Sequence, residues 1–223
     1  MTHTVQLTAS DGHAFSAYVA APTGTPRGAL VVVQEIFGVN SHIRAVADGY
    51  AAEGYLAIAP ALFDRTERGV ELGYSADDVT RGFALKTACG DDNALLDIAA
   101  ALAHVKHAGK ASIVGFCWGG LLSWLAACRQ GGLSAAITYY GGGMPNHAAL
   151  APRCPVLAHF GELDTHIPLD GVRAFGAAQP GVSLQLYPAG QHGFNCDQRG
   201  SFDAASAALA RERTLAFLRT HIG

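Results

Sequence analysis

Short apolar runs alternate with amphipathic stretches along most of the chain. The apolar runs are rich in β-branched residues and bounded by turn-forming residues, which predicts strands buried on both faces. They occupy residues 29–33, 55–59, 110–116, 133–139, 156–160 and 183–187. Between them, apolar residues recur at helical spacing, which predicts helices at residues 41–53, 76–88, 92–107, 119–128, 169–177 and 203–220. This alternation predicts an α/β fold, with a mostly parallel central sheet and helices on both faces.

Local signals mark the ends of several elements. Residues 7–11 and 13–20 alternate in polarity around an Asp-Gly dipeptide, which predicts an antiparallel ribbon near the N-terminus. Ser41 is the predicted N-cap of the first helix, and Gly54 is its predicted stop. Residues 61–75 show no period and are interpreted as a long loop of the kind that carries function.

The composition is typical of one folded domain spanning residues 1–223. Half of the residues are hydrophobic and 15% are charged, which excludes a disordered chain. The 27 glycines among 223 residues are about 12% of the chain, against an average near 7%. We therefore expect many tight turns and close backbone approaches.

Charge and hydropathy argue against nucleic acid and membranes as partners. The formal net charge is −3 and no basic cluster is visible, which argues against nucleic-acid binding. No apolar stretch approaches the ~18 residues of a spanning helix, and no secretory signal is visible, so we expect no membrane partner and a cytoplasmic location.

Five widely spaced cysteines without a CxxC pair predict free thiols. His104 and His107 share a helical face but lack a suitably spaced third ligand, so no metal is expected.

The sharpest local signal lies between a predicted strand and a predicted helix. The segment Gly115-Phe116-Cys117-Trp118-Gly119-Gly120 has the form of a nucleophile elbow, a tight turn that holds one side chain above the sheet. That side chain is the Cys117 thiol, and the N-terminus of the following helix favours its reactive thiolate form. The alternative is a glycine-rich packing contact around a buried cysteine.

Two later loops supply partners for such a thiol. Asp164 follows the strand at 156–160 and His192 follows the strand at 183–187, so both are expected at the same sheet edge as Cys117. The order nucleophile, acid, histidine is that of the α/β-hydrolases. Cys117 would attack a carbonyl, His192 would transfer protons and Asp164 would orient the imidazole.

Simpler interpretations of these partners remain open. Asp164 could be a turn residue before a helix, and His192 could be a loop histidine without a role. His166 is a rival base, although it lies in the acid's own loop, two residues from Asp164.

Four segments together resemble the dienelactone hydrolase (carboxymethylenebutenolidase) family. They are the segment 34–40 (Gln-Glu-Ile-Phe-Gly-Val-Asn), the cysteine elbow, the acid loop at 161–168 and His192-Gly193-Phe194. The resemblance spans essentially the whole chain and implies an α/β-hydrolase fold. It also implies Cys117 as the nucleophile and Asp164 and His192 as its partners.

The resemblance further implies roles for the segment after the first buried strand. Glu35 would be a carboxylate that interacts with the thiol in the resting enzyme, although it could instead only cap the helix that begins near Ser41. The backbone N–H groups of Ile36 and Trp118 would form the oxyanion hole, which is where α/β-hydrolases place such donors.

Substrate-binding residues are also suggested by the resemblance. The family holds a substrate carboxylate with arginines, and the candidates here are Arg81 and Arg199. Downstream of His192-Gly193-Phe194, where the family places its second arginine, this chain has Asn195 and Cys196, and Arg199 lies only nearby. Phe37, Trp118 and Tyr140 are candidate walls of the pocket, with a core position as the alternative for each.

Together, these observations predict a hydrolase of small esters or lactones that needs no cofactor. The expected substrate is a carboxylate-bearing enol-lactone such as dienelactone, cleaved through an acyl-enzyme on Cys117. Alternatives are a carboxylesterase or thioesterase of broader specificity, or a non-catalytic binding protein on the same scaffold. A cysteine amidotransferase is disfavoured because His192 is followed by Gly-Phe rather than by x-Glu. We expect a monomer or a weak homodimer.

Overall fold

The computed structural model describes all 223 residues and contains one eight-stranded sheet with six α-helices. The strands are β1 (Thr2–Thr8), β2 (Ala14–Ala20), β3 (Ala29–Val33), β4 (Leu56–Pro60), β5 (Ala111–Phe116), β6 (Ala135–Tyr139), β7 (Val156–Gly161) and β8 (Ser183–Tyr187). The helices are α1 (Ser41–Ala52), α2 (Ala76–Cys89), α3 (Asp91–Val105), α4 (Trp118–Arg129), α5 (Leu169–Ala178) and α6 (Ala204–His221). The predicted α/β architecture is confirmed.

The sheet has the order β1-β2-β4-β3-β5-β6-β7-β8. β2 pairs antiparallel with both β1 and β4, and every other neighbouring pair is parallel. All residues of β3 to β7 are buried, because helices cover the sheet on both sides. α1 and α6 lie together, joined by a hydrogen bond from Arg211 to the Gly49 carbonyl. None of the helices combines the length and apolar character that crossing a bilayer requires.

One predicted helix cap is wrong. Asn40, not Ser41, caps α1, since its backbone is extended and its side chain accepts a hydrogen bond from the Ile43 N–H at 3.2 Å. Ser41 is already the first helical residue, and its hydroxyl donates to Gln198. Both residue types cap helices well, so the sequence alone does not distinguish them.

Two other segments differ in detail from their predictions. β1 begins at Thr2 rather than at residue 7. This earlier start was not predicted because most residues of β1 are exposed and carry little apolar alternation. The segment 61–75 is not a featureless loop. It contains a 3₁₀ helix (Leu62–Arg65) and a bridge between Gly38 and Glu71.

A buried ion pair fixes this 3₁₀ helix. Arg65 donates to both carboxylate oxygens of Asp97 on α3, at 2.8 Å each, and to Asp11 in the turn after β1, at 2.7 Å. Asp97 is fully buried. Bidentate geometry is the arrangement in which attraction best offsets the loss of hydration. Arg65 therefore ties the segment after β4 to α3 and to the N-terminal ribbon.

Candidate active site

Cys117 occupies a strained turn between β5 and α4. Its φ of 54° and ψ of −114° lie outside the regions that residues with side chains ordinarily adopt. The flanking glycines allow the turn, since a Cβ on Gly115 would lie 1.9 Å from the Gly119 carbonyl oxygen. A Cβ on Gly119 would lie 2.5 Å from the Gln34 carbonyl oxygen. The predicted elbow geometry is therefore present.

Cys117, His192 and Asp164 form one hydrogen-bonded chain. His192 Nε2 lies 3.1 Å from Cys117 Sγ, and His192 Nδ1 lies 2.8 Å from Asp164 Oδ2. The other oxygen of Asp164 accepts the backbone N–H groups of His166 at 2.8 Å and Ile167 at 3.1 Å. The buried carboxylate is thus held in one orientation, and it holds the imidazole in turn.

The electrostatics of this chain favour a charged histidine. Burial by itself lowers the pKa of His192, but the hydrogen bonds to Asp164 and Cys117 outweigh burial and raise the pKa above its ordinary value. A histidine that is oriented by a carboxylate and hydrogen-bonded to a thiol is the arrangement that activates a cysteine for attack. The arrangement can therefore supply an activated sulfur nucleophile.

The other four cysteines have a different environment. Burial raises the pKa of Cys89 to about 12 and the pKa values of Cys128, Cys154 and Cys196 to about 11. These thiols stay protonated near neutral pH and are poor nucleophiles. Of the five thiols, only that of Cys117 is hydrogen-bonded to a histidine, and a carboxylate holds that histidine in turn.

Glu35 lies beside the site but does not hydrogen-bond with the thiol. Its Oε1 lies 3.4 Å from Arg199 Nη1, and its Oε2 is buried without a hydrogen-bond partner in the protein. The guanidinium of Arg199 also lies 5.6 Å from the ring centroid of Phe37 and 5.7 Å from that of Tyr74. The implied Glu35–thiol contact is thus replaced by contact with the arginine, which partly neutralises the buried carboxylate. Glu35 does not cap α1 either, since Asn40 does.

Two backbone N–H groups beside the thiol have no acceptor within the protein. They belong to Ile36 and Trp118, the residues predicted for the oxyanion hole, and both residues line the same cavity as Cys117. The Trp118 indole is fixed by a hydrogen bond to Asp91 at 2.7 Å and by stacking on Phe63. Both N–H groups are free to donate to a bound oxyanion.

The cavity over Cys117 has a volume of about 410 Å³. Its walls are mostly apolar or aromatic, and polar groups converge near the thiol, as is typical of small-molecule sites. The lining residues are Ile36, Phe37, Val79, Phe83, Lys86, Cys117, Trp118, Leu121, Gly142, Gly143, His166, His192 and Arg199.

Comparison with known proteins places this architecture in a family. A model described as the dienelactone hydrolase family matches residues 15–222. The chain belongs to the dienelactone hydrolase family. A carboxymethylenebutenolidase from Pseudomonas putida is 33% identical over 230 residues, which cover 98% of this chain and 96% of that protein. The chain is thus a hydrolase of the carboxylic-ester type.

Solved structures agree with this family membership. A crystal structure of an inferred dienelactone hydrolase from Klebsiella pneumoniae has a TM-score of 0.87 and 31% identity, covering 99% of this chain and 100% of that one. The Pyrococcus furiosus esterase Pf2001 has a TM-score of 0.73 at 15% identity, covering 100% of this chain and 93% of that one. At that identity the esterase shows the α/β-hydrolase fold alone.

In this family member, the cation on α2 that lines the cavity is Lys86 rather than Arg81. Arg81 is exposed, pairs with Glu67 and is absent from the cavity lining. Val79, Phe83 and Lys86 follow one another at i, i+4 and i+7, so they share the face of α2 that meets the cavity. That spacing was the signal in the sequence that could have identified Lys86.

Tyr140 lies elsewhere than predicted, whereas the geometry at His166 agrees with the preference for His192 as the base. Tyr140 does not line the cavity; it is fully buried, with a φ of 38°, and its ring meets that of His192 edge-on at 5.3 Å between centroids. His166 does line the cavity, exposed at the rim, with its ring centroid 5.1 Å from that of His192. The ring of His166 makes no hydrogen bond to Cys117 or Asp164, so the geometry disfavours it as the base.

Proposed function

We propose that this hydrolase cleaves small esters or lactones through a Cys117–His192–Asp164 triad and an acyl-enzyme. The observation that carries the proposal is the continuous chain from Sγ to Nε2 and from Nδ1 to Oδ2, at 3.1 and 2.8 Å. A non-catalytic binding protein would have no need of a thiol held in a strained turn against an oriented imidazole.

The proposed reaction proceeds in two halves. The Cys117 thiolate attacks the substrate carbonyl, and the N–H groups of Ile36 and Trp118 stabilise the oxyanion. The His192 imidazolium donates its proton to the departing oxygen, leaving a thioester on the sulfur. His192, now neutral, takes a proton from water, whose oxygen attacks the thioester and releases the acid and the thiolate.

The charges that line the cavity support an anionic substrate, such as a carboxylate-bearing enol-lactone. Lys86 lines the cavity and forms no ion pair within the protein. Arg199 lines it as well, but Glu35 already offsets part of its charge. A substrate carboxylate at Lys86 would gain a charge-assisted hydrogen bond. Dienelactone, which carries a lactone and a carboxylate, fits this chemistry.

The proposal is tested by combining assays on a panel of substrates with trapping of the acyl-enzyme. Carboxylate-bearing lactones, p-nitrophenyl esters and thioesters are assayed, and the enzyme is quenched during turnover for intact mass spectrometry and peptide mapping. We expect an acyl adduct on Cys117 and the highest kcat/KM for an anionic lactone. Turnover without an adduct on Cys117 would contradict the triad. Higher kcat/KM for neutral esters would instead favour a carboxylesterase of broader specificity.

A labelling experiment tests the nucleophile independently of the substrate. One equivalent of iodoacetamide at neutral pH should modify Cys117 and abolish activity, since the other thiols are protonated and mostly buried. Labelling mainly at Cys154, which is only half-buried, with activity retained, would count against the assignment.

A further inference from the structure

His42, Cys196 and Asp197 form a side-chain cluster outside the catalytic cavity. His42 lies in the first turn of α1, and the other two follow the His192 loop. Each of the three offers one donor atom, and these atoms all lie within 4.8 Å of one another. His42 and Cys196 are buried, whereas Asp197 is exposed. None of the three lines the cavity over Cys117.

The donor chemistry of the cluster selects a class of ligand. A thiolate, an imidazole and a carboxylate together suit a borderline-soft divalent transition-metal ion, whereas Mg²⁺ and Ca²⁺ prefer oxygen donors alone. The two anionic donors would neutralise a divalent ion. Neutralising the charge of the ion matters here because the N-terminus of α1 carries a positive partial charge, which would repel a cation that is not neutralised.

Burial of His42 is a second, independent observation. Its side chain is 5% exposed, and its Nδ1 lies 3.2 Å from Asp197 Oδ1. Its Nε2 is buried without a hydrogen-bond partner, so the ring makes its only hydrogen bond through Nδ1. Nδ1 is the nitrogen that faces Asp197, so a metal ion shared by the two residues would take Nδ1 as its ligand in place of that hydrogen bond.

A cavity open to solvent reaches two of the three residues. His42 and Asp197 both line a cavity of about 420 Å³ between α1 and α6, whose other walls include Tyr50, Phe202 and Arg211. Because Asp197 is exposed, an ion can meet the carboxylate first and the two buried donors afterwards. We propose that His42, Cys196 and Asp197 bind a divalent transition-metal ion of the Zn²⁺ class, the thiol proton of Cys196 passing to solvent.

Such an ion would join two parts of the fold that meet near the active site. Cys196 lies four residues after His192, and His42 lies on a different element, α1. A metal bound by both would cross-link the His192 loop to that helix. The role inferred for the metal is therefore to hold this loop, since its ligands are separate from the Cys117 cavity.

Cobalt titration tests the site directly. Co²⁺ is added to the full chain carrying Cys117→Ser, which removes the catalytic thiol as a competing ligand. We expect a thiolate-to-cobalt charge-transfer absorption that saturates at one equivalent and is displaced by Zn²⁺. Adding Cys196→Ser should abolish the band, whereas Cys128→Ser, which removes another buried thiol, should leave it unchanged.

Asp197 is the exposed member of the cluster, so replacing it tests metal binding without disturbing buried packing. Asp197→Asn should leave the circular dichroism spectrum unchanged and weaken Co²⁺ binding about 10- to 100-fold. Zn²⁺ should raise the Tm of the Cys117→Ser protein and not that of Cys117→Ser/Cys196→Ser. The proposal is overturned if the Cys117→Ser protein gives no thiolate band, if the band survives Cys196→Ser, or if Asp197→Asn binds Co²⁺ as tightly as before.

Discussion

At the scale of single residues, position rather than residue type separates groups that could react from groups that could not. The chain contains ten histidines and five cysteines. One histidine, His192, is hydrogen-bonded to a thiol through one ring nitrogen and to a carboxylate through the other. His159 shows the opposite case: it is fully buried between Tyr187 and Thr214, and burial lowers its pKa to about 3. It therefore stays neutral and serves as a hydrogen-bonding core residue.

The acid loop offers a matched pair of substitutions. Asp164→Asn should lower kcat about 10²- to 10⁴-fold, because an amide no longer stabilises the His192 imidazolium or fixes its tautomer. His166→Ala in the same loop should change kcat little, since its ring bonds to neither Cys117 nor Asp164. Steady-state kinetics, with circular dichroism to check folding, measure both. Similar losses in the two variants would show that His166 shares the role of the base.

At the scale of elements, the rotation of α2 decides which of its cations lines the cavity. One face carries Val79, Phe83 and Lys86 into the cavity, and a different face carries Arg81 to Glu67. Gly82 fixes the packing of the helix, because a Cβ there would lie 2.1 Å from the Ile36 carbonyl oxygen. The helix thus lies directly against the segment that supplies a predicted oxyanion donor.

Substitutions on the two faces of α2 test which of its cations binds a substrate carboxylate. Lys86→Met should lower kcat/KM for a carboxylate-bearing lactone about tenfold, the effect of losing one charge-assisted hydrogen bond. The same change should leave kcat/KM for a neutral ester of similar size nearly unchanged. Arg81→Met, the control on the same helix, should affect neither substrate. A drop for Arg81→Met on the anionic lactone alone would restore Arg81 as the carboxylate-binding residue.

The contrast between Cys117 and Lys86 shows what the sequence can and cannot predict here. Cys117, Asp164 and His192 were predictable because parallel strands end at one edge of the sheet, so residues that follow different strands meet there. Lys86 was missed although it shares a helical face with Val79 and Phe83, because the sequence alone does not show which face of α2 meets the cavity. The Arg65–Asp97 pair was missed for a related reason, since its two charges lie 32 residues apart and nothing local links them.

At the scale of the whole molecule, the Arg65–Asp97 pair connects segments that the sheet alone leaves separate. Both side chains have lost most of their contact with water, at 10% and 0% exposure. By contrast, the Arg129–Asp92 pair joins α4 to α3 at the surface, with exposures of 43% and 90%. The first pair is bidentate and buried, whereas the second is a single contact at the surface, so the two pairs should contribute very differently to stability.

Urea unfolding measures that difference. Asp97→Asn should lower the free energy of unfolding by about 3 kcal/mol, the lower end of the effect of breaking a buried ion pair, because the mostly buried guanidinium keeps only its partly exposed partner Asp11. Arg129→Gln should lower it by about 0–1 kcal/mol. Comparable effects from the two substitutions would show that water reaches Arg65 and screens the buried pair.

The left-handed backbone of Cys117 implies a conflict between activity and stability at that one position. A side chain at a positive φ destabilises the fold by about 1–2 kcal/mol, and glycine removes that strain. Cys117→Gly should therefore unfold at higher urea than Cys117→Ala, although glycine is normally the less stable of the two. Both variants lack the thiol, so their difference isolates the backbone. If Cys117→Gly is the more stable variant, the side chain in this turn is retained for its chemistry and not for stability. Relatives that have lost the activity would then be expected to carry glycine at this position.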